Sequence, residues 1–341
     1  MKKKDSFRVV LTVISIVLAV LLVITIVILV VSNRQMEQAL KYGNKNAKEY
    51  REHYVLIVDN PDATSSALIL QGCRSAGELK DAYVEIFEAD LRDEYNRLQL
   101  INLAIEMSVD GIILEAEETD DYSEMINEAA ANNIPVVTLG NDCMDSSRIS
   151  YVGIGAYDLG REYAREIIRN AGKSDRRVLI LMDKDADDSL QNIIYNGVAE
   201  TLANEGNHLR LELEIVGIDS QSYFSADEDI RSMLANMTTL PDFVVCLSEQ
   251  NTSIMANAIV EYNIVGKLDV LGYDTSDTIL QGIEKGIITS TVAIDYEIMG
   301  ESCVTALAEY NKTGFVNGYF LIDVHTVNST NIKEYMEREG S

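Results

Sequence analysis

The sequence predicts an α/β protein of two doubly wound lobes joined by a hinge of three chain segments, with one transmembrane helix ahead of them. Three observations predict it. Short β-branched runs alternate with longer amphipathic stretches, the pattern of βαβ units around a parallel sheet. The alternation occurs twice in 341 residues, a length suited to about two domains. A charge-free stretch from Val9 to Val31 precedes both sets.

As a helix, Val9 to Val31 measures about 35 Å, enough for a bilayer core. It is longer than the roughly 7–15-residue apolar region of a signal peptide, and Val30-Val31-Ser32-Asn33 offers no small-x-small cleavage site, so an uncleaved anchor is expected. The first cysteine, Cys73, lies too far along for a lipid attachment point. Lys2, Lys3, Lys4 and Arg8 keep the N-terminus cytoplasmic and place everything after Asn33 outside the cell membrane. The expected organisation is a basic cytoplasmic tip over 1–8, an anchor over 9–31, a helical stalk over 32–52, a first lobe over 53–152 and 295–320, a second lobe over 153–294 and 321–330, and a C-terminal tail over 331–341.

In the first lobe the strands are Tyr54–Val58, Ala82–Phe87, Gly111–Leu114 and Val136–Leu139, with helices near Ser66–Leu79, Tyr95–Met107 and Tyr122–Asn132. In the second they are Val178–Met182, Leu211–Val216, Phe243–Leu247 and Val270–Tyr273. Three further extended segments, Ser150–Gly155, Thr289–Ile294 and Tyr319–Val324, are left to cross between lobes, with hinge points near Val152–Ala156, Ala293–Tyr296 and Leu321–Val324. Parallel sheets bind ligands at the carboxyl ends of their strands, so the loops there are the candidate site.

Composition excludes several functions. Lys2, Lys3, Lys4 and Arg8 against Asp5 give the first eight residues +3, leaving −30 for the remainder of a −27 chain, and such acidity argues against nucleic acid as a partner. Cys73, Cys143, Cys246 and Cys303 show no metal spacing and read as buried free thiols. Gly153-Ile154-Gly155 followed by Gly160 is not a dinucleotide fingerprint, no phosphate-binding GxxxxGK[ST] occurs, and His53, His208 and His325 stand in unrelated places. Neither an enzyme nor a cofactor is expected.

Two segments carry a family resemblance. Val109-Asp110-Gly111-Ile112-Ile113-Leu114, a loop, then Ile126 to Asn133 and Ile134-Pro135-Val136-Val137-Thr138-Leu139 make one; Val270-Leu271-Gly272-Tyr273-Asp274, followed by Ile279, Ile283, Gly286, Thr291-Val292-Ala293 and Gly300, make the other. Over about residues 53 to 330 the chain resembles the type I periplasmic sugar-binding proteins, whose Rossmann-like lobes are shared with the ligand domains of lactose-repressor-like regulators. A membrane segment stands where a regulator carries its helix-turn-helix.

The resemblance implies capture of a small polar ligand, a carbohydrate, between the lobes for ABC-type uptake through a permease. The alternative is a sensor that presents bound solute to a two-component kinase or chemoreceptor. Asp274 is implied as an acceptor for ligand hydroxyls. Gln250 and Asn251 correspond to the family's Asn-Asp pair; Asp59, Asn60, Ser65 and Ser66 follow the first strand, with the two serines where the family has an aromatic pair. Asn141 and Asp142 follow the fourth strand, Ser189 and Asn192 the sixth, Tyr223 or Phe224 offers an aromatic face, and Asp295 stands beside Ile294 at the second hinge. Two arginines of the family pattern are absent, one position being Ile194, while Glu115, Glu117, Asp142 and Asp187 lie on rim loops. A cationic ligand is the alternative chemistry.

Overall fold

The computed structural model describes residues 49–87, 95–172, 176–184, 189–206 and 210–339. The expected anchor over 9–31 and nearly all of the stalk lie outside them, and Glu52, assigned to the stalk, already belongs to the first strand. Among the described residues no helix is long and apolar enough to cross a membrane.

Glu52–Ser341 is one compact unit with two six-stranded sheets. The first contains β1 (Glu52–Ile57), β2 (Ala82–Ile86), β3 (Gly111–Leu114), β4 (Val136–Leu139), β5 (Ser150–Ile154) and β11 (Tyr319–Ile322), in the order β11-β5-β4-β3-β1-β2, all parallel. The second contains β6 (Arg176–Asp183), β7 (Leu211–Ile218), β8 (Phe243–Cys246), β9 (Asp269–Tyr273), β10 (Ser290–Ile294) and β12 (Val324–Asn328), in the order β12-β10-β9-β8-β6-β7, with only β12 antiparallel. β3, β4, β8 and β10 are buried along their whole lengths, because helices cover both faces of such a sheet. That is why they read as largely apolar runs, with Thr138, Ser290 and Thr291 buried among them.

Ten helices are described: α1 (Thr64–Lys80), α2 (Arg97–Met107), α3 (Asp120–Ala131), α4 (Ala156–Asn170), α5 (Ser189–Glu205), α6 (Tyr223–Asn236), α7 (Glu249–Glu261), α8 (Asp277–Glu284), α9 (Tyr296–Thr313) and α10 (Ile332–Glu339). Local chemistry sets several starts. The Asn96 side chain accepts from Gln99 N while Gln99 closes a capping box on α2, and Ser222 does the same with Ser225 on α6.

The chain changes lobe three times, the second time at the expected Ile294–Asp295 boundary and the first and last slightly later than the sequence boundaries. Gly153 and Ile154 pair with Leu321 and Ile322 in the first sheet, so the first crossing follows Ile154 and the last falls at Asp323. Tyr319–Val324 is therefore two strands in different sheets rather than one segment. The 331–341 tail is not merely a tail: α10 packs against α8 and β12 through the buried Ile332.

The crossings explain the helix packing. After β5 in the first sheet, α4 packs on α5 of the second lobe; after β10 in the second sheet, α9 packs on α1 of the first. Both contacts run backbone to backbone over glycines. A Cβ on Gly72 would lie 2.0 Å from Glu297 O and one on Gly300 2.1 Å from Ile69 O; one on Gly160 would lie 2.1 Å from Ile194 O and one on Gly197 2.4 Å from Tyr157 O. One apolar cluster runs from Tyr54 and Leu56 through Leu159 and Tyr163 to Val178 and Ile180, joining the lobes. All four cysteines are free and buried, and burial pushes the Cys73 and Cys246 thiols up to about 12.

Because overpacking forces backbones apart, Gly72→Ala and Gly160→Ala are each expected to lower the unfolding free energy by about 2 kcal/mol or more, read from urea melts. A change under about 0.5 kcal/mol at either position would show that these crossings are not tight.

Candidate functional site

The carboxyl ends of the two sheets enclose the candidate site. In each sheet the strand order reverses beside the first strand, between β1 and β3 and between β6 and β8, the position where open α/β sheets bind ligands. A cavity of about 830 Å³ is lined from one side by Asn60, Ser65 and Gln71, and from the other by Glu249, Asp274, Ser276 and Asp277, with Asp295, Tyr296 and Glu297 at the second crossing. It shares Ser65 and Tyr296 with a cavity of about 230 Å³ that reaches Ser66, Glu115, Asn141, Tyr273 and Met299.

Asp274 is the most firmly built group. It ends β9 in a left-handed turn, φ 72°, a conformation Asp tolerates better than most residues. Its Oδ1 accepts from Thr275 N at 2.6 Å and its Oδ2 from the Tyr296 hydroxyl at 2.6 Å, while its backbone oxygen accepts from Thr291 Oγ1 at 2.7 Å. Burial, with Tyr273 and Asp274 beside it, drives the Tyr296 phenol far above its ordinary value, so it stays protonated and donates. Asp274 is thereby oriented while keeping acceptor capacity toward the cavity.

The crossing supplies the neighbouring wall. Asp295 caps α9 by accepting from Ile298 N at 3.0 Å, and Glu297 accepts from Gln71 Nε2 at 2.8 Å. Asn60 holds the start of α1: its oxygen accepts from Ser66 Oγ at 2.7 Å and its side chain from Asp62 N at 3.2 Å. Tyr335 of α10 reaches the large cavity and bonds Thr275 Oγ1 at 3.1 Å.

The structure thus brings together Asp274, Asp295, Asn60, Ser65, Ser66 and Asn141. Other expected residues lie elsewhere. Asp142 is taken by Arg148, whose Nη2 donates to Oδ2 at 2.6 Å, and by Thr138 and Cys143; it fixes the β4 loop. Asp59 pairs with Arg97 at 3.2 Å, and Glu117 pairs with the same guanidinium. Gln250 donates to Ser222 O at 3.4 Å, tying α7 to α6. Asn192 is exposed on α5 and lines neither cavity. Tyr223 and Phe224, 54% and 76% exposed, open α6 facing solvent and give the cavities no aromatic wall. Asn251 is buried in the first turn of α7 with Oδ1 unpartnered. Asp187 and the Ser189 side chain lie outside the described residues.

The aromatic surfaces come instead from Tyr273, Tyr296 and Tyr335. Tyr296 was not singled out, although it ends the expected hinge Ala293–Tyr296 beside Asp295; Tyr335 carried no signal, standing in the segment read as a tail. Among the described residues no lysine or arginine lines either cavity, and no group of three His, Cys, Asp or Glu is placed to hold a metal ion.

A family model described as periplasmic binding protein domain matches residues 54–314. The chain belongs to the periplasmic binding protein family. As a type I periplasmic binding protein it is a non-enzymatic solute binder. Solved structures that resemble this periplasmic binding protein include the following three. GanP, a glucose-galactose binding protein from Geobacillus stearothermophilus, is 22% identical over 83% of this chain and 99% of its own, with a TM-score of 0.70. AraP, an arabinose binding protein from the same organism, is 17% identical over 83% and 99%, with a TM-score of 0.71. XylFII in its complex with LytSN is 25% identical over 82% and 98%, with a TM-score of 0.66. A search of curated protein sequences finds no significant match. The family match ends before β11, and Tyr335 lies beyond it.

Tyr296→Phe removes the donor to Asp274 Oδ2 and is expected to destabilise the unliganded protein by about 1–2 kcal/mol, measured by urea melts at neutral pH. An unchanged midpoint would show that water replaces the hydroxyl without cost.

Proposed function

We propose that this periplasmic binding protein captures a carbohydrate between its lobes on the outer side of the membrane, held there by residues 9–31, and delivers it to an ABC permease. The observation that carries the reading is the Asp274 carboxylate, fixed by Tyr296 and Thr275 N–H and facing a cavity at the strand ends. A carboxylate so held accepts hydrogen bonds from sugar hydroxyls without first losing rotamer freedom. The sugar-binding neighbours GanP and AraP support carbohydrate as the solute class.

Binding begins on one lobe and closes the other over the ligand by bending at Gly155, Asp295 and Asp323. Closure excludes water, which strengthens each polar contact inside. A second reading, that closure is reported to a partner protein such as a membrane sensor kinase, is supported by XylFII, which shares this fold and was solved in complex with LytSN. The Val9–Val31 segment suits either role, since both need the binding lobes kept at the membrane surface.

A thermal-shift screen against monosaccharides tests the solute class: one sugar is expected to raise the melting temperature, with Asp274→Ala weakening its binding at least tenfold. Equal affinity in Asp274→Ala would remove the residue from the site. Alkaline carbonate washing tests the anchor: the full chain is expected to stay in the membrane fraction and a chain beginning at residue 49 to be released.

A further inference from the structure

The lining of the smaller cavity divides in two. Ile69, Leu139, Ile154, Leu190, Ile294 and Met299 supply five aliphatic side chains and one thioether, with no donor and only a weak acceptor among them. Five of the six belong to the apolar cluster that joins the lobes, and half-buried Leu190 packs against it, so this floor is the core laid open to the cavity. The strand-end backbone beside it is already paired. Leu139 O accepts from Asn141 N at 2.8 Å, Gly140 N donates to Val152 O at 2.9 Å, and Gly140 O accepts from the Tyr151 hydroxyl at 2.8 Å.

Polar groups lie on the side toward the larger cavity. Ser65 and Tyr296 line both cavities, Asn141 is exposed, and Tyr296 carries the lining on to Asp274 through its hydrogen bond. A sugar ring that offers its hydroxyls to Asp274 therefore turns another part of itself to the apolar floor. A hydroxyl there leaves water for a place without a strong partner, whereas a methyl buries apolar surface at no such cost. A ring carbon that merely lacks its hydroxyl does not stand out from the ring, but a methyl at C6 does. At about 230 Å³ the cavity is below the roughly 300–1,000 Å³ of sites for drug-sized molecules, so a single ring fills it.

We infer that the solute is a 6-deoxyhexose, its C6 methyl seated on the floor made by Ile69, Leu139, Ile154, Leu190, Ile294 and Met299 and its hydroxyls turned to Asp274, Ser65 and Asn141. The inference rests on the carbohydrate-binding reading and narrows it.

The test uses the full chain in a polyoxyethylene ether detergent, since an alkyl glycoside would itself present a sugar. Calorimetric titration compares each 6-deoxyhexose with the hexose and the pentose of the same ring configuration: L-fucose with L-galactose and D-arabinose, D-fucose with D-galactose and L-arabinose, L-rhamnose with L-mannose and L-lyxose, and 6-deoxy-D-glucose with D-glucose and D-xylose. In the series that binds best, the 6-deoxyhexose is expected to bind at least about fivefold more tightly than both its counterparts, the hexose losing by its buried hydroxyl and the pentose by the space it leaves. Leu190→Gln, which puts an amide on the floor at its least buried position, is expected to bring the preference over the hexose below about twofold. An unchanged preference in a folded Leu190→Gln overturns the seating on this floor; should the variant not fold, the ranking in the wild-type protein decides alone. A smaller preference in the wild-type protein, or tighter binding of a hexose, a pentose or N-acetyl-D-glucosamine, overturns the inference and leaves the carbohydrate reading standing. Binding of no sugar in any series overturns both.

Discussion

The close contact of glycine with backbone, where α9 crosses α1 and α4 crosses α5, is the constraint on which the rest of this structure depends. Each of α4 and α9 leaves a strand of one sheet and lands on the other lobe, so its position decides how the lobes are held. Gly72 touches the backbone of Glu297 itself. The first turn of α9, which carries Asp295, Tyr296 and Glu297 into the cavity, is therefore placed by a packing contact rather than by loop geometry. Interiors this dense transmit a displacement of a few tenths of an ångström without absorbing it.

That placement ties the two halves of the site together. Tyr296 arrives with the crossing, Asp274 with the strand end of β9, and their hydrogen bond joins elements distant in sequence. The same α9 turn meets α1 through Gln71 and Glu297. A carboxylate held from both sides loses little freedom when a ligand binds, so most of the interaction energy is retained as affinity. The acidity of the wall needs no compensating arginine because helix first turns accommodate it.

Much of this was legible in the sequence. Central strands buried on both faces appear as largely apolar runs, so Gly111–Leu114, Val136–Leu139 and Phe243–Leu247 stood out, and the ends of such strands mark the site; Asp274, at the end of one, was implied by the family resemblance. What sequence does not carry is direction within a loop. Asp142 and Asn141 are adjacent, yet one turns to Arg148 and the other lines the cavity. Tyr223 looked like a stacking residue but stands at the first position of a helix facing water. The crossing expected near Leu321–Val324 falls at Asp323, but the run gave no sign that it holds two separate strands, because strand partners are chosen by the fold and not by local composition. Tyr335 was missed for the same reason: its role depends on β12 doubling back along β10.

Asp323 alone separates a strand of one sheet from a strand of the other. A link of one residue spans only a few ångströms even when fully extended. The roots of the two lobes are thus pinned together there, and relative motion is reduced to turning about the pinned line. Displacement then scales with lever arm: residues beside Asp323 twist in place while those on the far rims sweep the longest arcs. In the proposed closure the two lobes work as a pair of tongs, with the travel at the tips and the torque at the joint.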